Sequence, residues 1–127
     1  MKKQEFLALV RAAGALSDSR EAERWSRAVL SALCDLAPDS ETRRQFLTQL
    51  PGFLKTALLA ERPRSLLMTR EAFVQHIGAA LGVHAPEAER ALKVVYPVLG
   101  QAVSAGELAD FEARLPEEIA AFLGRLG

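Results

Sequence analysis

The chain has 127 residues, of which 16 are Lys or Arg and 16 are Asp or Glu, so its formal charge at neutral pH is zero. That balance excludes a surface built throughout for nucleic acid or anionic membrane, which needs a net positive field. A domain of this length buries roughly two thirds of the surface its unfolded chain exposes, so no disulfide or metal is needed to hold it, and the single Cys34 has no second cysteine to pair with.

Ala (22) and Leu (20) far outnumber the eight Val and two Ile, an excess of helix formers over β-branched residues that predicts an all-α fold. Phe6, Leu9, Val10 and Ala13 share one face of a first helix, with Gly14 placed to end it in a left-handed cap. Asp18 caps the next helix, Glu21 completes a capping-box pattern, and Ala22, Trp25, Val29, Ala32, Leu33 and Leu36 carry its apolar stripe as far as Pro38. A shorter helix with Phe46, Leu47 and Leu50 turns a corner at Leu50-Pro51 into a helix over 51–60.

The charged, proline-interrupted segment 61–68 reads as a connection. Thr69 then caps a helix bearing Phe73, Ile77, Ala80 and Leu81, which Gly82 ends. Pro86 opens a long helix with Ala91, Val94, Val95, Val98, Leu99 and Val103, and Pro97 inside it predicts a bend. Gly106 separates this from a helix with Leu108, Phe111 and Leu115, and Pro116 begins the last one.

These elements repeat. Phe6 answers Phe73, the run Glu21-Ala22-Glu23-Arg24 answers Glu87-Ala88-Glu89-Arg90, and Leu50-Pro51 answers Leu115-Pro116, at offsets that drift only from 67 to 65 residues. Two tandem helical units follow, 1–60 and 69–127, joined by 61–68 and packed as one bundle domain through their apolar faces. The halves differ in charge: residues 1–66 hold 11 basic and 8 acidic side chains, and residues 67–127 hold 5 and 8. Such a chain can attract its own other half or another copy of itself, and neutral drift of two duplicates gives the same count equally well.

Candidate chemistry is sparse. His76 sits on the apolar side of its helix with no evident partner, and His84 lies eight residues further on, a separation that matches no short metal-ligand spacing. The acidic pairs in the two Glu-Ala-Glu-Arg runs complement helix dipoles and face arginines three or four residues away; alternatively, Arg24 and Arg90 form equivalent ion pairs between the units. Cys34, beside Leu30 and Leu33, lacks the neighbours that would make it a nucleophile. Arg43, Arg44, Arg62 and Arg64, with Arg70, form the one basic concentration. No catalytic, cofactor or metal residue is assigned; His76 and Arg43, Arg44, Arg62 and Arg64 are the candidate surface or pocket.

The repeat, the Glu-Ala-Glu-Arg runs, the Phe6-Leu7 and Phe73-Val74 helix starts and the Leu50-Pro51 and Leu115-Pro116 corners together resemble a bacterial family known as domain of unknown function 2267. The resemblance covers nearly the whole chain and implies no activity, cofactor or catalytic residue. Pro97 has no place in the family pattern.

No run of about 18 apolar residues offers a membrane span, and Met1-Lys2-Lys3-Gln4-Glu5 lacks the apolar stretch of a signal peptide, so a soluble cytoplasmic protein is expected. The leading reading is a non-catalytic interaction or adaptor module with a protein partner or self-association. The alternatives are a helix-bundle pocket for a small apolar or acidic ligand, and nucleic-acid binding through Arg43, Arg44, Arg62 and Arg64.

Overall fold

The computed structural model describes residues 1–126, and four of the eight helices described begin where a side chain accepts from a free backbone N–H group. Asp18 accepts from the Glu21 N–H at 2.9 Å and opens α2 (Ser19–Leu36), which follows α1 (Lys3–Gly14). Asp39 accepts from Thr42 at 2.7 Å and opens α3 (Ser40–Gln49), and α4 (Gly52–Leu59) starts behind Pro51. Thr69 accepts from Ala72 at 3.1 Å at the head of α5 (Arg70–Leu81), and α6 (Ala85–Ala102) carries Pro86 in its first turn. Ser104, rather than Gly106, sets the start of α7 (Ala105–Ala113), and Pro116 precedes α8 (Glu117–Gly124). Among the described residues there are eight helices and no strand.

One local expectation is corrected. The left-handed residue after α1 is Ala15, at φ 52°, while Gly14 is the last helical residue. Gly14 sits in a tight space: a Cβ there would lie 3.3 Å from Cζ3 of Trp25 and 3.1 Å from Cγ of Leu16, so those side chains would have to give by a few tenths of an ångström. Pro97 lies inside α6, which runs on to Ala102. Gly82, at φ 70°, ends α5 as expected.

The two sets of four helices have lengths of 12, 18, 10 and 8 residues and of 12, 18, 9 and 8 residues. They do not close separate cores. α1 packs on α6 as well as on α2, α2 packs on α5 and α6, and α3 meets α7. One apolar cluster draws on all eight helices, including Phe6, Leu30, Phe46, Leu54, Phe73, Leu92, Phe111 and Ile119. Each fully buried Phe in it contributes about 2–3 kcal/mol. Between α3 and α7 the Phe46 and Phe111 rings stack with centroids 4.1 Å apart and planes 22° off parallel.

Polar contacts between the halves are reciprocal. Arg24, the sixth residue of α2, donates to the Leu81 carbonyl at the end of α5; Arg90, the sixth residue of α6, donates to the Gly14 carbonyl at the end of α1. The expected ion pairs between these arginines and the other half are therefore replaced by contacts to helix C-termini, where carbonyls lack intrahelical donors and the dipole favours a cation. The Arg90 guanidinium also lies over the Trp25 ring, 5.2 Å from its centroid. Of the expected pairs within helices, Glu21–Arg24 (2.9 Å) and Glu89–Lys93 (3.2 Å) form. Glu23 turns instead to Lys3 at 2.9 Å, and Glu89 also reaches Arg70 at 3.5 Å, so the first residue of α1 and the first of α5 are tied alike to the neighbouring long helix.

Candidate functional site

Near the C-terminus of α2, inside a run of buried apolar side chains, stands Asp35, which is only 2% exposed. Ionising a carboxylate there costs several kcal/mol unless partners surround it, and the fold brings two. Arg64, from the connection between α4 and α5, donates from Nη2 to Oδ2 at 2.8 Å; His76, on α5, places Nε2 2.8 Å from the same oxygen. The imidazole thus acquires the partner that the sequence did not reveal. Further bonds pin the connection at the same place: the Leu66 N–H donates to the Asp35 carbonyl at 2.7 Å, and the Ser65 hydroxyl donates to the Ala37 carbonyl at 2.8 Å.

The chemistry of this cluster is that of attachment. Asp35 fixes the orientation of His76 and ties α2, the connection and α5 together, while Arg64 (52% exposed) and His76 (26% exposed) keep one side toward solvent. The adjacent Cys34 is fully buried, and desolvation, opposed by the nearby positive charge of Arg43, pushes its thiol up to about 12. It stays a thiol at neutral pH and is no nucleophile. Burial, together with a hydrogen bond to Glu112, likewise raises the Tyr96 phenol, which donates to that carboxylate.

The four arginines proposed as one basic surface are dispersed by role. Arg43 is only 7% exposed and donates to the Leu58 carbonyl near the end of α4 at 3.3 Å, a helix-terminus contact rather than a surface charge. Arg64 is held by Asp35. Arg44 and Arg62 are exposed and form no ion pair among the described residues. His76 and Arg64 are therefore the two candidates that the fold brings together, through a residue the sequence had hidden in an apolar stripe. The signal was present: Asp35 is the one charged residue between Leu33, Cys34 and Leu36.

The pinned connection presents an apolar side chain outward. Leu67 is 93% exposed, while Leu66 and Met68 on either side are half-buried. Beside it runs a shallow cleft of about 370 Å³ lined by Leu36, Pro38, Leu66, Leu115 and Pro116. By contrast, the space between α3 and α7, edged by Thr42, Phe46, Phe111 and Arg114, holds about 20 Å³, room for a single water. No three His, Cys, Asp or Glu side chains converge to hold a metal among the described residues, and no described helix is long and apolar enough to cross a membrane.

No curated protein matches the chain by sequence. The family model described as "Uncharacterized conserved protein (DUF2267)" matches residues 3–122, which takes in α1 to α7 whole and most of α8. The all-helical chain, with its buried Asp35 and the connection hung from it, therefore belongs to the DUF2267 family.

Proposed function

We propose that this chain is a non-catalytic interaction module of the cytoplasm, docking a protein partner on the 64–67 connection with Leu67 as its anchor. The observation that carries this reading is Leu67 itself, 93% exposed directly after a stretch tied to the end of α2 through Arg64, Ser65 and Leu66. An apolar side chain next to backbone that is already fixed costs less to order on binding, which suits an anchor residue. The neighbouring cleft of about 370 Å³ supplies apolar walls around it. The enclosed space between α3 and α7 holds about 20 Å³, and the larger clefts, such as those lined by Leu7, Arg11 and Leu16 or by Val74 and Pro86, are open surface grooves, which favours an interaction module over a carrier that buries its ligand between helices. The burial of Arg43 and the pairing of Arg64 with Asp35 favour it over a nucleic-acid binder.

A photocrosslinking amino acid placed at Leu67 in cells tests this, with the exposed Ala79 on α5 as the control position. A discrete adduct from position 67 alone is expected, with loss of the same complex in Leu67→Ser at an unchanged melting temperature. No adduct, or the same adducts from both positions, contradicts the reading.

A further inference from the structure

Exposed charges without an ion pair among the described residues are mainly basic on α2 and mainly acidic on α7 and α8. Arg20, Arg24 and Arg27 stand at intervals of four and three residues on the exposed face of α2, so their side chains follow one another along the helix. They line a cleft of about 370 Å³ together with Glu23, Ala28, Ser31, Glu61 and Ala80. Glu21 holds Arg24 and Glu23 is drawn to Lys3, while Glu61 accepts from the Ser31 hydroxyl at 2.8 Å and keeps its charge, so the three arginines outnumber the one carboxylate of the cleft that has no cationic partner among the described residues. Arg20 and Arg27 form no ion pair among the described residues.

The opposite sign gathers at the other end of the sequence. Residues 104–126 hold five carboxylates and two arginines, which accounts for the acidic excess of the second half. Glu107 and Asp110 on α7 and Glu117 and Glu118 on α8 are exposed, and none is in an ion pair among the described residues. Acids in the first turn of α8 complement its dipole, but that explains their position and leaves their charge facing water.

We infer that copies of this chain associate head to tail, the acidic α7–α8 end of one seated on the α2 arginine cleft of the next. One exposed ion pair contributes little, but several complementary charges on two facing surfaces set register and accelerate encounter. A head-to-tail contact uses two different surfaces of each copy, so it extends into chains unless it closes into a ring. The contact does not rest on the Leu67 reading, because every residue it uses is charged and lies outside 64–67.

The test is sedimentation velocity of the full chain at about 20 mM and about 300 mM salt, where screening shortens from tens of ångströms to several. Concentration-dependent association is expected at low salt, weakened at least tenfold at high salt. Arg20→Glu/Arg27→Glu and Glu117→Lys/Glu118→Lys should each sediment as monomers at low salt. Mixing the two variants, or combining all four changes in one chain, should restore association, because each then offers facing surfaces of opposite sign. A monomer at both salt concentrations overturns the inference without recourse to any variant. So does association that survives the reversals, or a mixture of folded variants that stays monomeric, folding being checked by thermal melts. The crosslinking result at Leu67 is read separately, so either proposal can fail alone.

Discussion

The ends of the two long helices make an instructive pair. Asp35 is the seventeenth residue of α2 and Gln101 the seventeenth of α6; the first is 2% exposed and carries Arg64 and His76, whereas the second is exposed and forms no side-chain hydrogen bond among the described residues. Nearer the helix starts the halves agree instead. Arg24 and Arg90 each close the C-terminus of a helix in the other half, and Lys3 and Arg70 each tie a short helix to a long one. The matched contacts hold two sets of helices together, while the unmatched cluster attaches the one segment that occurs once, the connection from Glu61 to Thr69. Asymmetry of that kind separates what the architecture needs from what a partner would use.

Removing Asp35 should break this contrast most strongly. Asp35→Ala strands Arg64 and His76 without their shared acceptor and is expected to cost about 3 kcal/mol, since half-exposed partners recover some hydration. Gln101→Ala should fall within about 0.5 kcal/mol of the parent. Urea unfolding of the two variants side by side measures both. Hydrogen exchange adds a local readout: the Leu66 N–H, bonded to the Asp35 carbonyl at 2.7 Å, should lose protection well before the core of α2 does. Equal losses in the two variants would mean that the buried carboxylate has no special part in holding the connection.

Much of the architecture was legible because its determinants are local. Asp18 and Thr69 cap through bonds three residues ahead, Gly82 takes a left-handed conformation, and prolines mark the α3–α4 and α7–α8 corners. The same local rule failed at Gly14, which packs closely under Trp25 of α2 while the left-handed turn passes to Ala15. The candidate site was the least legible part. His76 meets a residue 41 positions away, Arg43 is buried against a helix end 15 positions away, and Leu67 falls in a segment that reads in sequence only as a charged connection. Each depends on which helices meet, and helix periodicity alone does not determine that.

The matched arginines permit a sharper comparison of smaller size. Arg24→Met and Arg90→Met should each cost about 1 kcal/mol by freeing a helix-terminal carbonyl, and the two losses should be nearly equal. Thermal melts of both variants and of the pair check this. Arg90→Met losing the larger share would assign weight to its position over Trp25, 5.2 Å from the ring centroid, an interaction for which Arg24 has no counterpart among the described residues.

The smallest expected effect sits beside Asp35 and concerns protons. Burial pushes the Cys34 thiol from 9.0 up to about 12, so the folded chain keeps this proton at a pH where the unfolded chain has released it. A raised folded value contributes stability that is complete below the unfolded value and is lost as pH climbs toward the folded one, so stability should decline from about pH 9 toward 12. At about pH 9.5 the loss attributable to this group is about 0.8 kcal/mol. Tyr96, also raised by burial, adds a decline in the same direction at higher pH. Urea unfolding of the parent and of Cys34→Ala at about pH 8 and about pH 9.5 isolates the thiol, because Tyr96 and every other titrating group is common to both chains. The difference in stability between them should shrink by that amount over the interval. A constant difference would mean that the folded chain lets Cys34 ionise as readily as the unfolded one, and that the end of α2 opens to water while its helices stay packed.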